Sequence, residues 1–400
     1  MRARLAAGVV LSLAGHARAD MAALVGHGPA SIAEAQARVA RGDDGAAARE
    51  NPGGVALGER DRASAGVTLL GAALTVDGAR APIEDPWAVV VAGDATVPLE
   101  GALRGRIRVG LGVHAGRSVA RVLLPHEATG AQPYFTNRTQ RLSVVPALSV
   151  RPASWLGVGV AVDALAGVSG AVDASVGRSG APEPRIDART PAVVRPIVGV
   201  QARPTRALSL GLVVRGRFAV PLLVSTRADV AGVPLEAQTT ARQALFDPRE
   251  VVMAAAWRRR ALELELDVGH HAFSAYEGPG LLVAATLPGV DARTPPSGAT
   301  YRDTWSVGVG ATALVGATTL RLGLGLESSM MGPRQVATRL TDGAKRRVGA
   351  GLGREVFGAR VELGASVTSV AATTVARAVG PGARAGGLLV ATSLTVGTPR

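Results

Sequence analysis

The sequence of 400 residues predicts an all-β protein, a transmembrane antiparallel β-barrel of about fourteen strands. Three observations predict this class. Apolar and polar residues alternate along most of the chain, and tight and long connections alternate between the resulting segments. In addition, no internal run of about 18 apolar residues could form a membrane-spanning helix.

The N-terminus has the order of a secretory signal. Arg2 and Arg4 are followed by an apolar stretch over 5–15 and by Ala17-Arg18-Ala19. Charge, apolar core and small residues in this order are typical of a cleaved signal peptide, so we expect residues 1–19 to be removed. The alternative, a short buried helix, gains nothing from the Ala-x-Ala end. The absence of cysteine fits an exported, oxidising compartment.

Residues 20–60 show no strand alternation, and the barrel is expected over 61–400. The clearest strand places Leu262, Leu264 and Leu266 on one face and Glu263 and Glu265 on the other. In a membrane, lipid covers such an apolar face and a polar lumen takes the other. The fourteen predicted strands are 63–77, 86–97, 103–116, 141–152, 155–176, 191–203, 207–229, 248–258, 261–276, 303–315, 318–329, 346–356, 359–374 and 386–397.

The connections between these strands alternate strictly in length. Tight connections such as 316–317 and 357–358 separate long ones such as 117–140, 230–247 and 277–302. Short periplasmic turns and long external loops are typical of an outer-membrane barrel, and the parity places both chain ends in the periplasm.

Two places break the strand pattern. Pro146 lies inside the predicted strand 141–152, where it cannot donate to a ladder, which predicts a kink, a bulge or a local opening of the wall. The outward phase slips between Leu69 and Leu70, which predicts a second bulge.

Several segments, in order along the chain, resemble the FadL-type outer-membrane transporters of long-chain fatty acids and other hydrophobic compounds. The first runs from Asp43-Asp44-Gly45-Ala46 to Asn51-Pro52-Gly53-Gly54 and is similar to the hatch of that family. The other segments resemble its barrel strands and one of its loops: 143–149 with 156–159, 198–204 with 208–212, 301–307 with 320–323, and 341–343.

The resemblance implies a monomeric fourteen-stranded barrel whose N-terminal hatch, residues 20–60, plugs the lumen. It implies passive uptake of hydrophobic compounds, with fatty acids the default class, and contact with outer-membrane lipid. Substrate would enter from an external hydrophobic groove, reach a site near the hatch and leave sideways through the wall. Asp43, Asp44, Asn51 and Pro52 are the hatch residues, and Pro146 is the candidate for the lateral opening.

Candidates for the substrate path lie in the long loop 117–140 and in the lumen. In the loop, Leu123, Leu124, Tyr134 and Phe135 could line the external groove, or could only pack the loop onto the barrel rim. The arginines expected in the lumen could bind a carboxylate bidentately, or could pair with lumen acids. These arginines are Arg106, Arg108, Arg215 and Arg217.

Other function classes are disfavoured. The net charge of +13 invites a nucleic-acid function, but the sequence shows no basic helix and no aromatic residues interleaved with the arginines. His270 and His271 are adjacent on a strand and therefore point to opposite faces, so no metal or cofactor site and no enzyme is expected. The alternatives that stay open are a general diffusion porin, a structural surface barrel and, more distantly, a soluble basic binding protein.

Overall fold

A computed structural model describes residues 26–42, 45–80, 87–116, 142–166, 169–176, 182–189, 192–230, 233–276, 281–287, 290–293, 301–331, 342–375 and 383–399. Its helices are short: α1 (Gly28–Ala33), α2 (Ala47–Glu50) and α3 (Pro52–Val55), with single 3-10 turns at Gly101–Leu103 and Phe273–Ala275. Within the described residues, no helix is long and apolar enough to cross a membrane.

The strands, numbered in chain order, are β1 (Arg62–Val76), β2 (Ala79–Arg80), β3 (Trp87–Thr96), β4 (Ile107–Gly116), β5 (Leu142–Ala153), β6 (Leu156–Ala166), β7 (Ser169–Val176), β8 (Pro182–Arg189), β9 (Ala192–Ala202), β10 (Leu208–Arg215), β11 (Phe218–Val230), β12 (Val233–Asp247), β13 (Glu250–Arg259), β14 (Leu262–His271), β15 (Leu281–Leu287), β16 (Val290–Arg293), β17 (Thr304–Val315), β18 (Thr318–Glu327), β19 (Lys345–Val356), β20 (Ala359–Val375) and β21 (Ala383–Gly397).

Fourteen of these strands form one closed antiparallel barrel, as predicted. The order around the barrel is β1, β3, β4, β5, β6, β9, β10, β13, β14, β17, β18, β19, β20 and β21. The sheet closes because β1 pairs with both β3 and β21. We call the end with the tight connections the turn end, where β1 begins and β21 finishes, and the opposite end the loop end.

The two faces of the barrel wall invert the usual arrangement of a soluble protein. On β18 the apolar Leu322 and Leu324 are 63% and 59% exposed, whereas Arg321 between them is only 2% exposed. The same alternation holds on β14, where Leu264 and Leu266 are exposed and Glu265 is buried. An apolar outer face with charges inside is what a lipid environment requires.

Two sequence-based predictions about the strands were wrong. The structure has a second sheet, formed by β7, β8, β11, β12, β15 and β16. Parts of it come from the expected strands 155–176 and 207–229 and from the expected loops 230–247 and 277–302. Residue alternation has the same period in both sheets, so it could not mark where the barrel ends.

The predicted bulge between Leu69 and Leu70 is also absent, because β1 keeps one register with β21 and with β3 over its described length. Leu70 instead points inward, where it belongs to a buried cluster with Leu74 and with Ile32 of α1. The inner face of β1 is therefore apolar near the loop end.

Candidate functional site

The N-terminal segment, described over residues 26–42 and 45–58, lies inside the barrel. Its side chains are almost all buried, and its helices contact strands on opposite sides of the wall: α1 contacts β18 to β21, while α3 contacts β4, β5, β6 and β9. The apolar Val39 and Val55 pack in one buried cluster with inward-facing residues such as Val145 and Ile197. The segment therefore fills the part of the lumen that these strands enclose.

Glycines on the inner face of the wall let the segment pack backbone against backbone. A Cβ at Gly364 of β20 would overlap the carbonyl oxygen of Pro29, and a Cβ at Gly159 of β6 would overlap the carbonyl group of Pro52. Any larger residue at these positions would push the segment away from the wall.

Asn51 and Pro52 are at the centre of one such contact. Asn51 caps α3, because its Oδ1 accepts a hydrogen bond of 3.0 Å from the Gly53 amide. Its Nδ2 donates to the carbonyl oxygens of Val39, at 2.7 Å, and Val200 of β9, at 3.0 Å. The Pro52 carbonyl accepts from Ser149 Oγ of β5 at 2.6 Å. Asp43 and Asp44 lie outside the described residues.

Two carboxylates of β14 hold the segment from the other side. Glu265 accepts from the Ala40 amide at 2.7 Å and from Arg41 Nε at 2.5 Å. Asp267 accepts from the amides of Arg38 and Val39 at 3.0 and 3.2 Å. Charge-assisted hydrogen bonds of this kind are about twice as strong as neutral ones, so β14 is a main attachment of the segment.

The four arginines expected in the lumen separate into two groups. Arg108 is buried and pairs with Asp94, and Arg215 pairs with Glu250 at 3.0 Å. Arg106 is exposed near the turn end, and Arg217 is exposed just after β10. Arg215 also donates to the carbonyl oxygens of residues 49 and 50, so it joins the wall to the segment.

A buried polar cluster lies behind Pro146. Asp163 of β6 accepts from Ser143 Oγ of β5 at 2.6 Å, from Arg49 Nη1 at 3.1 Å and from Arg195 Nη2 of β9 at 2.9 Å. Pro146 itself is exposed on the outer face, opposite Leu111 of β4. The β5–β6 pairing runs from Val144↔Ala164 directly to Ala147↔Ala161, so the ladder is interrupted beside Pro146.

Between the segment and the wall lies a cavity of ≈ 140 Å³. It has apolar walls from Val39 and Val252 and many charges. The charged side chains that line it are Arg49, Glu50, Arg195, Arg215, Glu250, Asp267, Glu327, Lys345 and Arg347. Lys345 pairs with Glu327, and Arg347 Nε donates to Thr368 Oγ1 at 3.2 Å. We call this space the lumen chamber.

The chamber charges were mostly missed by sequence reasoning. Glu250 is the first residue of β13, where alternation alone does not separate a lumen residue from a loop residue. Pairs of opposite charge on neighbouring strands could have revealed the chamber charges. Glu327 lies opposite Lys345 in the β18–β19 register, and Arg215 lies opposite Glu250 in the β10–β13 register.

The adjacent histidines contact different groups, in keeping with their alternation. His270 lies 3.2 Å from Asp303 and packs edge-on against Trp305, whereas His271 contacts Ser306 at 3.0 Å. Asp303 also accepts from Ser274, and these hydrogen bonds hold the pKa of its carboxyl below the usual range. In the part of the chain that the structure describes, no group of three or more possible ligands could hold a metal ion.

Aromatic residues gather at the loop end. Phe246, Tyr276 and Tyr301 pack in one buried cluster with Met330 and Met331, and the rings of Phe246 and Tyr276 stack at 4.9 Å. The groove candidates Leu123, Leu124, Tyr134 and Phe135 lie outside the described residues, so their role stays a prediction.

Comparison by sequence matches no protein-family model and no curated protein. Comparison of structures matches a FadL homologue of Pseudomonas aeruginosa, with 13% identity and a TM-score of 0.62, over 93% of this chain and 97% of that one. The P. putida toluene transporter TodX matches with 14% identity and a TM-score of 0.61, over 94% and 99%. The Ralstonia pickettii toluene transporter TbuX matches with 16% identity and a TM-score of 0.56, over 94% and 98%. The chain therefore has the fold of these transporters, as the resemblance of its segments predicted.

Proposed function

We propose that the protein is an outer-membrane channel for the passive uptake of hydrophobic compounds. The observation that carries this proposal is a lumen filled by the N-terminal segment, inside a barrel with an apolar outer face. The proposal is supported by structural neighbours whose names describe a FadL homologue and toluene transporters. An exported monomer, with residues 1–19 removed as a signal peptide, fits this role.

The N-terminal segment is proposed to be the hatch. It is attached to the wall through Asn51, through Arg41 and through the carboxylates Glu265 and Asp267. A general diffusion porin needs an open aqueous path, and a plug held by so many buried polar contacts argues against one. Opening must therefore involve a local rearrangement of the hatch or of the wall.

The proposed substrate class is a long-chain fatty acid. The lumen chamber combines the apolar Val252 with the cationic Arg215 and Lys345. These cations already pair with Glu250 and Glu327, but a carboxylate head can accept further hydrogen bonds from them, whereas a hydrocarbon can accept none. The charged chamber thus favours an amphiphile over toluene, the compound in the names of two structural neighbours.

The proposed exit is the seam between β5 and β6. The ladder there is interrupted beside Pro146, which has no amide hydrogen to donate. Directly inside this point, Asp163 and Arg49 line the connection between wall and hatch. Opening the seam would release an apolar chain sideways into lipid, which an amphiphile prefers to the aqueous periplasm.

Uptake by proteoliposomes tests the proposal. The purified protein should carry a labelled C18 fatty acid to a trap inside the vesicles, faster than protein-free vesicles do, and vesicles should not swell in a small sugar. Labelled toluene, offered in parallel, tests the substrate class. Rapid swelling with sugar would refute hydrophobic uptake in favour of a porin, and faster carriage of toluene than of fatty acid would refute the amphiphile.

A further inference from the structure

Three arginines come together at the turn end, between β9–β10 and β13–β14. In the register of β10 with β13, Leu208 pairs with Trp257, and the Arg258 amide donates to the Ala207 carbonyl at 2.8 Å. Arg206 is the residue before Ala207 in the connection from β9 to β10, while Arg259 and Arg260 directly follow Arg258. All three arginines are exposed.

This arrangement gathers like charges in one part of the turn end. Like charges that lie near each other repel. In the described residues, no acidic side chain forms an ion pair with Arg206, Arg259 or Arg260. The acid that follows in sequence, Glu263, pairs instead with Arg258 at 2.9 Å. The three guanidinium groups thus form one cationic patch, which we call the arginine triad.

The turn itself adds a second cost. Arg260 has φ 54°, in the left-handed region that favours glycine. The tight turn after β17 places Gly316 in this region, and the turn after β19 places both Phe357 and Gly358 there. An arginine in this conformation carries a backbone cost that glycine does not have, and it adds a further positive charge next to Arg259.

The surroundings of the triad identify what could balance its charge. Next to the triad, the outer face of the barrel exposes Leu208, Trp257 and Leu262. On the other side, the Arg203 amide donates to the carbonyl of the exposed Trp155 at 2.6 Å. Tryptophans of membrane barrels lie at the level of the lipid head groups. The triad therefore lies at the depth of the lipid phosphates.

We propose that Arg206, Arg259 and Arg260 bind the head-group phosphate of an anionic phospholipid in the periplasmic leaflet of the outer membrane. The proposal rests on the membrane location proposed above. The planar guanidinium group binds phosphate oxygens bidentately, so one phosphate offers enough acceptors for more than one arginine.

The site is specific to one sector of the turn end. The sector of β17 to β20 exposes the apolar residues Leu314, Val315 and Phe357. It also exposes Arg354, which is followed by the acidic Glu355, so this sector does not gather positive charge as the arginine triad does.

Native mass spectrometry of the intact protein in mild detergent tests the site. The probes are phosphatidylglycerol, phosphatidylcholine and inorganic phosphate, each titrated alone. We expect the wild type to bind phosphatidylglycerol preferentially. Each arginine that contacts the anionic head group contributes about fivefold to the lipid affinity, so Arg206→Gln/Arg259→Gln/Arg260→Asn should lose on the order of 100-fold.

The single variant Arg260→Asn separates binding from folding. Asparagine tolerates the left-handed region better than arginine, so this variant should melt no lower than the wild type and still bind phosphatidylglycerol about fivefold more weakly. A matched control replaces three other exposed arginines of the turn end, in Arg104→Gln/Arg106→Gln/Arg354→Gln, and should keep the wild-type affinity.

Four results would overturn the proposal: unchanged lipid binding by the triple variant, unchanged binding by Arg260→Asn, an equal loss in the control, or equally tight binding of inorganic phosphate. The last result would identify a site for free phosphate. Because the assay measures lipid binding and not transport, a protein that binds the lipid but carries no fatty acid refutes the proposed function and leaves the site intact.

Discussion

Removing the carboxylate of Glu265 should release the hatch from β14. Glu265 makes two buried hydrogen bonds to the hatch, to the Ala40 amide and to Arg41 Nε, at 2.7 and 2.5 Å. Truncating one partner of a buried, hydrogen-bonded charge pair costs about 3–5 kcal/mol. Because about 1.4 kcal/mol is a factor of ten, Glu265→Ala should raise the equilibrium constant for hatch release by about 100-fold or more.

Liposome swelling in a small sugar measures this release, because an unplugged lumen passes sugars. Glu263→Ala is the matched control: Glu263 is the same residue type two positions away on β14, and it pairs with Arg258. Both variants should keep the gel shift on boiling that marks a folded barrel. If Glu265→Ala swells no faster than Glu263→Ala, the carboxylate of Glu265 does not hold the hatch.

Three further predictions follow from the wall, the hatch and the loop end. Pro146→Val restores a backbone N–H that can donate a hydrogen bond worth about 1 kcal/mol to the strand ladder, so uptake of labelled fatty acid should slow by about fivefold. Unchanged uptake would count against an exit between β5 and β6. Gly364→Ala crowds the first turn of the hatch at about 1–3 kcal/mol and should increase sugar leakage. Gly71→Ala should not, because its Cβ would make only an ordinary contact, 3.9 Å from the Val390 carbonyl oxygen. Because the folded pKa of Asp303 is lowered, its hold on Ser274 is complete above about pH 4 and is lost as the pH falls further. Hydrogen exchange of the Ser274 amide, corrected for the intrinsic rate, should therefore accelerate at low pH in the wild type and show no such step in Asp303→Asn.

The fold could be predicted from the sequence because each barrel strand meets two different solvents. Lipid outside and a polar interior impose a strict period of two, seen in Leu322 and Leu324 against Arg321. Tight turns then fix the order of the strands. The second sheet was not predicted because its strands obey the same period, and nothing in a one-dimensional pattern shows where a strand leaves the wall.

The candidate site could be predicted only in part. Arg215 was recognised as a lumen residue by its phase, but its partner Glu250 depends on how β10 and β13 are registered. The cluster of Asp163 with Ser143 and Arg49 joins two strands and the hatch. Ser143 lies 20 positions from Asp163 in the sequence, and Arg49 lies 114 positions from it. Such contacts follow from closure of the barrel and not from local pattern.

The glycines on the inner face of the wall connect the sequence pattern to the filled lumen. From sequence, Gly159 and Gly364 are only small members of the polar face, as suitable for a water-filled pore as for a plugged one. In the structure, each lies where a carbonyl of the hatch touches the wall, at Pro52 and Pro29. An open pore needs no such positions, since water tolerates a side chain there. Glycines at the inner positions of separate strands therefore indicate a plugged lumen, because only the close approach of a second backbone requires them together.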